Sequence, residues 1–239
     1  RRKLSWPLAK QIMGLAIPGG IATIAVMAGF GFFLFVVGKL DARSLANHVV
    51  AAGACGKSEA VNGAATTAII GVLKLTFTAC LAFGTSTATL VSQSLGERNP
   101  EAAAKYGWSS VRLGVLIFGV VGLCEGFLFT KPILHFVSHS PAVQEVAVLP
   151  MRLIGAATPL IAVGMILTQA LFGAGNTRFV MVAELILHFT CLMPLAWLLG
   201  ITFDLGLPGI WSSAIVDVFG LSTVMAWKFW RGDWKATVI

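Results

Sequence analysis

Six long apolar segments dominate this chain, and no water-soluble fold of its size can hide them. They fall at about 13–37, 68–91, 111–129, 146–172, 180–199 and 208–227. Each is close to the roughly 20 residues that a helix needs to cross the hydrocarbon core of a bilayer. Their apolar residues run continuously instead of alternating, which argues against a transmembrane β-barrel. Composition agrees: 57% of the 239 residues are hydrophobic and only 11% are charged, with a mean hydropathy of +0.87. A soluble domain carries about 25% charge. A cytosolic enzyme, a disordered chain and a disulfide-stapled secreted module are excluded. The fold class expected is all-α, an integral membrane bundle of about six transmembrane helices.

The charges divide this bundle into a basic lead-in at 1–12, a six-helix unit at 13–227 and a tail at 228–239. The lead-in opens Arg1-Arg2-Lys3 without a methionine, and no small-residue cleavage site follows. It therefore reads as a basic loop before a true span, and the chain as a piece of something longer. With the N-terminus inside, ten of the 17 Lys and Arg residues fall on the cytoplasmic side and four (Lys39, Arg43, Lys57, Lys131) outside. Lys74, Arg112 and Arg152 lie within or at the edges of spans. That bias predicts cytoplasmic termini and an even number of spans. It also explains the net charge of +7 without a nucleic-acid partner.

Polar stretches mark the connections. Lys39, Asp41 and Arg43 are expected in a loop after the first span. Residues 51–60, with Lys57, Ser58 and Glu59, are expected to leave the bilayer before the second. The segment 92–108 is the most polar of all. Within it Asn99 should cap a helix, Pro100 take its first turn and Glu101 favour its N-terminal dipole.

Chemical signatures are sparse. No HExxH, G-x-S-x-G, Walker A or G-x-G-x-x-G pattern occurs, which argues against an enzyme and against ATP as a direct energy source. Cys55, Cys80, Cys124 and Cys191 lack metal or redox spacing, and three of them read as small core residues. His48, His135, His139 and His188 are scattered; His135 and His139 are four apart in a loop but have no third ligand nearby, so no metal site is expected. The informative residues are charges inside spans, which must face a bundle interior, a water cavity or a partner. Glu184 and Asp217 are candidates for a substrate or ion path, with Gln169, Thr76 and Thr85 as polar companions. Glu125 and Lys74 fit an inter-helix pair or snorkelling to the interface.

Four stretches carry a resemblance in order: SLANHVV (44–50), STATLVSQSLGERNPEAAAKYGW (86–108), QALFGAGNTRFVM (169–181), and LMPLAWLLG followed by LGLPGIW (192–211). Together they resemble the C-terminal six-helix lobe of multidrug and toxic compound extrusion (MATE) transporters. GAGNTR looks like the family's G-A-G-D-T-R turn, with Asn176 in place of Asp. Leu90-Val91-x-Gln93-x-Leu95-Gly96 is similar to the family's second-span exit, and Pro18, Pro159 and Pro194 fall where the family tends to have proline. Physically, Gly173 and Gly175 permit a tight turn, Asn176 with Thr177 opens the next helix as its cap, and Arg178 holds the interface. These residues, with Gln93 and Gly96, are expected to be structural.

The resemblance implies one half of a secondary antiporter that exports small organic, often cationic, compounds in exchange for H⁺ or Na⁺ by alternating access. No resident cofactor is implied. It implies as partners the lipid bilayer and a matching N-terminal six-helix lobe, which would hold most of the coupling-ion site. Some members carry acidic residues near the positions of Val26 and Ile161, both apolar here. Phe30, Phe32, Phe33 and Phe35 are candidates for an apolar cavity wall. The stretch 51–67 reads as a turn-rich insertion relative to the family. The expected location is the bacterial inner (plasma) membrane. The alternatives are a truncated, non-transporting membrane scaffold and a half-transporter that needs its partner.

Overall fold

The computed structural model describes residues 6–52 and 60–236, and all regular structure among them is helical. Six helical rods are long and apolar enough to cross a membrane. The first is α1 (Trp6–Ala52), the second α2 (Val61–Gly96). The third is α3 (Pro100–Leu123), which continues into a π-helical segment (Cys124–Leu128). A short α4 (Thr130–Val137) leads to the fourth rod, α5 (Pro141–Gly173). The fifth is composite: α6 (Thr177–Leu187), a π segment (His188–Leu192), α7 (Met193–Trp197) and a second π segment (Leu198–Thr202). The sixth is α8 (Gly206–Arg231), closed by a 3₁₀ turn (Asp233–Ala236).

The helices outrun the apolar segments because residues beyond the hydrocarbon find partners. Lys39, Asp41 and Arg43 are helical, not loop, since α1 continues to Ala52. Asp41 Oδ1 accepts from Asn62 N at 2.9 Å and Oδ2 from Gly63 N at 2.7 Å. It thereby supplies the first turn of α2 with the cap that Ala60 lacks. Arg43 Nη1 donates to Ile201 O at 2.9 Å, satisfying a carbonyl in the last π segment. The turn-rich character expected at 51–67 does not hold in its described parts, where 51–52 end α1 and 61–67 begin α2. Cys55, Lys57, Ser58 and Glu59 lie outside the described residues.

The polar stretch 92–108 is likewise almost all helix. Only a tight turn around Arg98, which takes a left-handed φ of 58°, separates α2 from α3. Asn99 Oδ1 accepts from Ala102 N at 3.1 Å, with Pro100 in the first turn, the cap expected from NPE. Asn176, by contrast, makes no side-chain cap bond to α6. The turn before it depends on Gly175, at φ 75°. Gly173 serves packing: a Cβ there would lie 2.8 Å from Ala88 Cα, so it lets α5 approach α2. Gly126 and Gly155 do the same for the third rod against α5, where a Cβ on Gly126 would lie 2.8 Å from Gly155 Cα. Small residues at crossings are how membrane helices gain dispersion contact without a hydrophobic driving force.

Two apolar clusters form the core. One joins α1, α2, α5 and α8 around Phe33, Ile69, Met151 and Ile210. Phe33 is buried and meets Trp211 edge-on at 5.0 Å, so it belongs to this core and not to a cavity wall. The other surrounds Ile166, Leu171 and Phe229. Trp234 is fully buried in it, stacked on Phe229 at 4.6 Å. Residues 228–235 are therefore docked onto the bundle, with Lys235 Nζ 2.7 Å from Glu101 Oε1.

Candidate functional site

Among the described residues, buried Asp, Glu and His side chains meet where α1, the fifth rod and α8 cross. Glu184 lies in α6, and His188 follows one turn later at the start of the π segment. A spacing of four residues puts both on one helix face. Asp217 faces them from the middle of α8. Glu184 and His188 are each 7% exposed and Asp217 is 5% exposed. His188 Nε2 lies 3.8 Å from Asp217 Oδ2. His188 Nδ1 is 2.9 Å from Glu184 O. A carbonyl only accepts, so Nδ1 carries a hydrogen and donates. Asp217 Oδ1 has no hydrogen-bond partner among the described residues.

Local backbone chemistry places the imidazole. The π segment widens the rod at His188, and Pro194 follows within two residues of its end. Proline offers no N–H, which disfavours a regular α-helical ladder there. π turns of this kind recur at functional positions. On α1, Gly29 makes room for the ring: a Cβ there would stand 2.8 Å from His188 Cδ2.

The other expected path residues lie elsewhere. Thr76 Oγ1 donates to Glu125 Oε1 at 2.7 Å, an inter-helix pair between α2 and the third rod. Gln169 packs its Cγ over Gly84, where α2 and α5 touch. Thr85 is exposed and returns its hydroxyl to Ala82 O at 2.9 Å. Gln93 and Gly96 are exposed near the end of α2, while Thr177 is buried and Arg178 exposed at the start of α6. The sequence by itself does not distinguish His188 from the other histidines. The available signal was its four-residue spacing from Glu184, which scattered histidines do not advertise.

One exposed face of α2 is rich in polar side chains, with the exposed Leu81 among them. Lys74, Thr78, Thr85, Thr89 and Gln93 recur along α2 at helical spacing and all are exposed. The hydroxyls donate to backbone carbonyls one turn back, Thr78 to Lys74 O at 2.7 Å and Thr89 to Thr85 O at 3.0 Å. A hydroxyl that donates in this way keeps its capacity to accept. On α3 the exposed stripe is instead Leu113, Leu116, Val120 and Leu123.

The MatE family model matches residues 48–198, more than half of the chain. A probable multidrug resistance protein NorM of Thermotoga maritima is 29% identical over 237 residues, covering 98% of this chain and 46% of that protein. A probable NorM of Caulobacter vibrioides is 29% identical over 186 residues, covering 76% of this chain and 38% of its own length. The chain thus spans about half the length of the curated relatives it matches. Among solved structures, an outward-facing multidrug resistance MATE family transporter of the MOP superfamily superposes with a TM-score of 0.79 at 17% identity, covering 94% of this chain and 46% of that one. A MOP superfamily transporter from Pyrococcus furiosus gives the same TM-score at 17% identity, with 94% and 45% covered. The family model's match over residues 48–198, from the end of α1 into the fifth rod, makes the chain a member of the MatE family.

Proposed function

We propose that the chain acts as the C-terminal six-helix lobe of a MATE-type secondary antiporter, exporting small organic compounds against H⁺ or Na⁺. The polar face of α2 is the observation that carries this reading. A stripe with Lys74, Thr78, Thr85, Thr89 and Gln93 is costly against lipid, where a charged side chain at mid-depth costs roughly 2.5–3.5 kcal/mol. It suits a wet path shared with a second lobe, while the leucine face of α3 suits lipid. Alternating access needs two such units rocking about a common site, and relatives named for multidrug resistance are about twice this length.

The test is transport with and without the other lobe. Chain alone in liposomes, given a H⁺ or Na⁺ gradient, should not move a fluorescent organic cation. The same chain joined to the N-terminal lobe of a relative should move it. Gradient-driven uptake by the chain alone would make it a complete small antiporter. Inactivity of a correctly folded two-lobe protein would favour the membrane scaffold.

A further inference from the structure

The charge balance around the buried cluster is incomplete. Glu184 and Asp217 place two carboxylates within the bundle. No Lys or Arg occurs in 11–38, 153–173, 179–202 or 207–227, the spanning parts of α1, α5, the fifth rod and α8 that pack around them. The titratable groups these elements bring to the crossing are Glu184, His188, Cys191 and Asp217. A buried carboxylate without a cation or donor is strongly unfavourable. Moreover, neutral His188 has its hydrogen committed at Nδ1, leaving Nε2 as a bare acceptor 3.8 Å from Asp217 Oδ2. Two acceptors side by side repel; one hydrogen on Nε2 turns repulsion into an ion pair, which becomes a charge-assisted bond once the side chains close to about 2.7–2.9 Å.

We infer that His188 and Asp217, with Glu184 beside them, form a proton-binding site of this lobe, the proton residing on His188 Nε2 against Asp217 Oδ2. Binding converts neutral imidazole and carboxylate into an imidazolium–carboxylate pair; release returns both to their starting forms. Sodium fits less well, since a hard cation takes oxygen ligands and the central group here is an imidazole. The free Asp217 Oδ1 leaves an acceptor for a water or for the Glu184 carboxyl when protonated. The site joins three rods, so its occupancy biases how α1 and α8 pack on the fifth rod. Gly29 against the ring makes that crossing sensitive to the ring's position. Its part in coupling rests on the transporter reading above; its proton occupancy does not.

The experiment is ¹⁵N NMR of the histidine rings of the full chain in lipid nanodiscs, titrated from pH 5 to 9, with His188 assigned by loss of its signals in His188→Gln. The expected result is Nδ1 protonated throughout and Nε2 losing its proton in one step. In Asp217→Asn that step moves down by at least one pH unit, a tenfold weaker hold on the proton. Asp217→Glu keeps it within half a unit. Nε2 bare across the whole range in the wild-type chain overturns the inference, whether or not the variants fold. So does titration at Nδ1, or an equal step in a folded Asp217→Asn. Exchanging choline chloride for sodium chloride leaves the step in place; a large downward shift in sodium means that Na⁺ occupies the cluster and the proton site is wrong. In the two-lobe protein, H⁺-driven efflux is lost in both His188→Gln and Asp217→Asn. Efflux retained by both overturns the coupling role. No efflux from the unaltered two-lobe protein, with the titration intact, counts against the transporter reading alone.

Discussion

Two asparagines with the same expected job behave differently. Asn99 bonds the backbone of α3 through its side chain, whereas Asn176 makes no such bond to α6. Asn99→Ala should therefore cost about 0.5–2 kcal/mol, the usual cost of losing a cap, and Asn176→Ala much less. Thermal unfolding in detergent, read side by side, checks the difference. The glycines separate in the same way. Gly173 stands against the backbone of Ala88, while nothing lies within 4 Å of a Cβ at Gly96. Gly173→Val should push α5 off α2 and cost roughly 1–3 kcal/mol. Gly96→Ala should leave the melting temperature unchanged or slightly raised, because alanine is the better helix former.

Helix ends are held by residues from other helices. Asp41 makes α1 the cap of α2, accepting from two backbone N–H groups and from Asn62 Nδ2 at 2.9 Å. Hydrogen bonds to a charged acceptor are worth about 1.5–3 kcal/mol. Asp41→Ala should lower stability by that order and speed amide exchange at 61–64 above all; exchange unchanged there, measured by mass spectrometry, would show that α2 caps itself. At the other end of the bundle, Trp234 donates Nε1–H to Phe229 O at 2.8 Å while its ring stacks on Phe229. Removing so large a buried side chain typically costs roughly 3–5 kcal/mol. Trp234→Ala should destabilise the bundle accordingly and expose Lys228 and Lys235 to trypsin, and a trypsin-resistant variant would contradict the docked tail.

At the scale of the molecule, the contacts sort the connections into two ends. The Glu101–Lys235 pair puts the α2–α3 turn beside the C-terminal turn. The Asp41–Gly63 and Arg43–Ile201 bonds gather the α1–α2 connection and the end of the fifth rod at the opposite one. Lys and Arg crowd the first end, and the positive-inside bias predicts that this end is the cytoplasmic one. Reporter fusions at Lys57 and Asn99 should consequently land on opposite sides of the membrane, with Asn99 cytoplasmic. Both on one side would mean that one of the six rods does not span.

How much of this was legible without coordinates depended on the range of the physics involved. Six spans, the helical class and the Asn99 cap followed from the chain alone, because hydropathy over ~20 residues and capping over three are local properties. The family resemblance was also local, residing in turns such as GAGNTR, and it named the scaffold without locating a site. Helix lengths were underestimated because the partners of Asp41 and Arg43 lie 21 and 158 residues away, beyond any window of sequence. The same holds at the site. Glu184 and Asp217 stood out as charges in apolar rods, but nothing in their spacing told that they share one crossing. Nor could it tell that His188 lies against Asp217, or that Thr76 and Glu125 pair elsewhere. Those assignments belong to packing: a π turn that re-aims an imidazole, and a glycine on a neighbouring helix that leaves room for it.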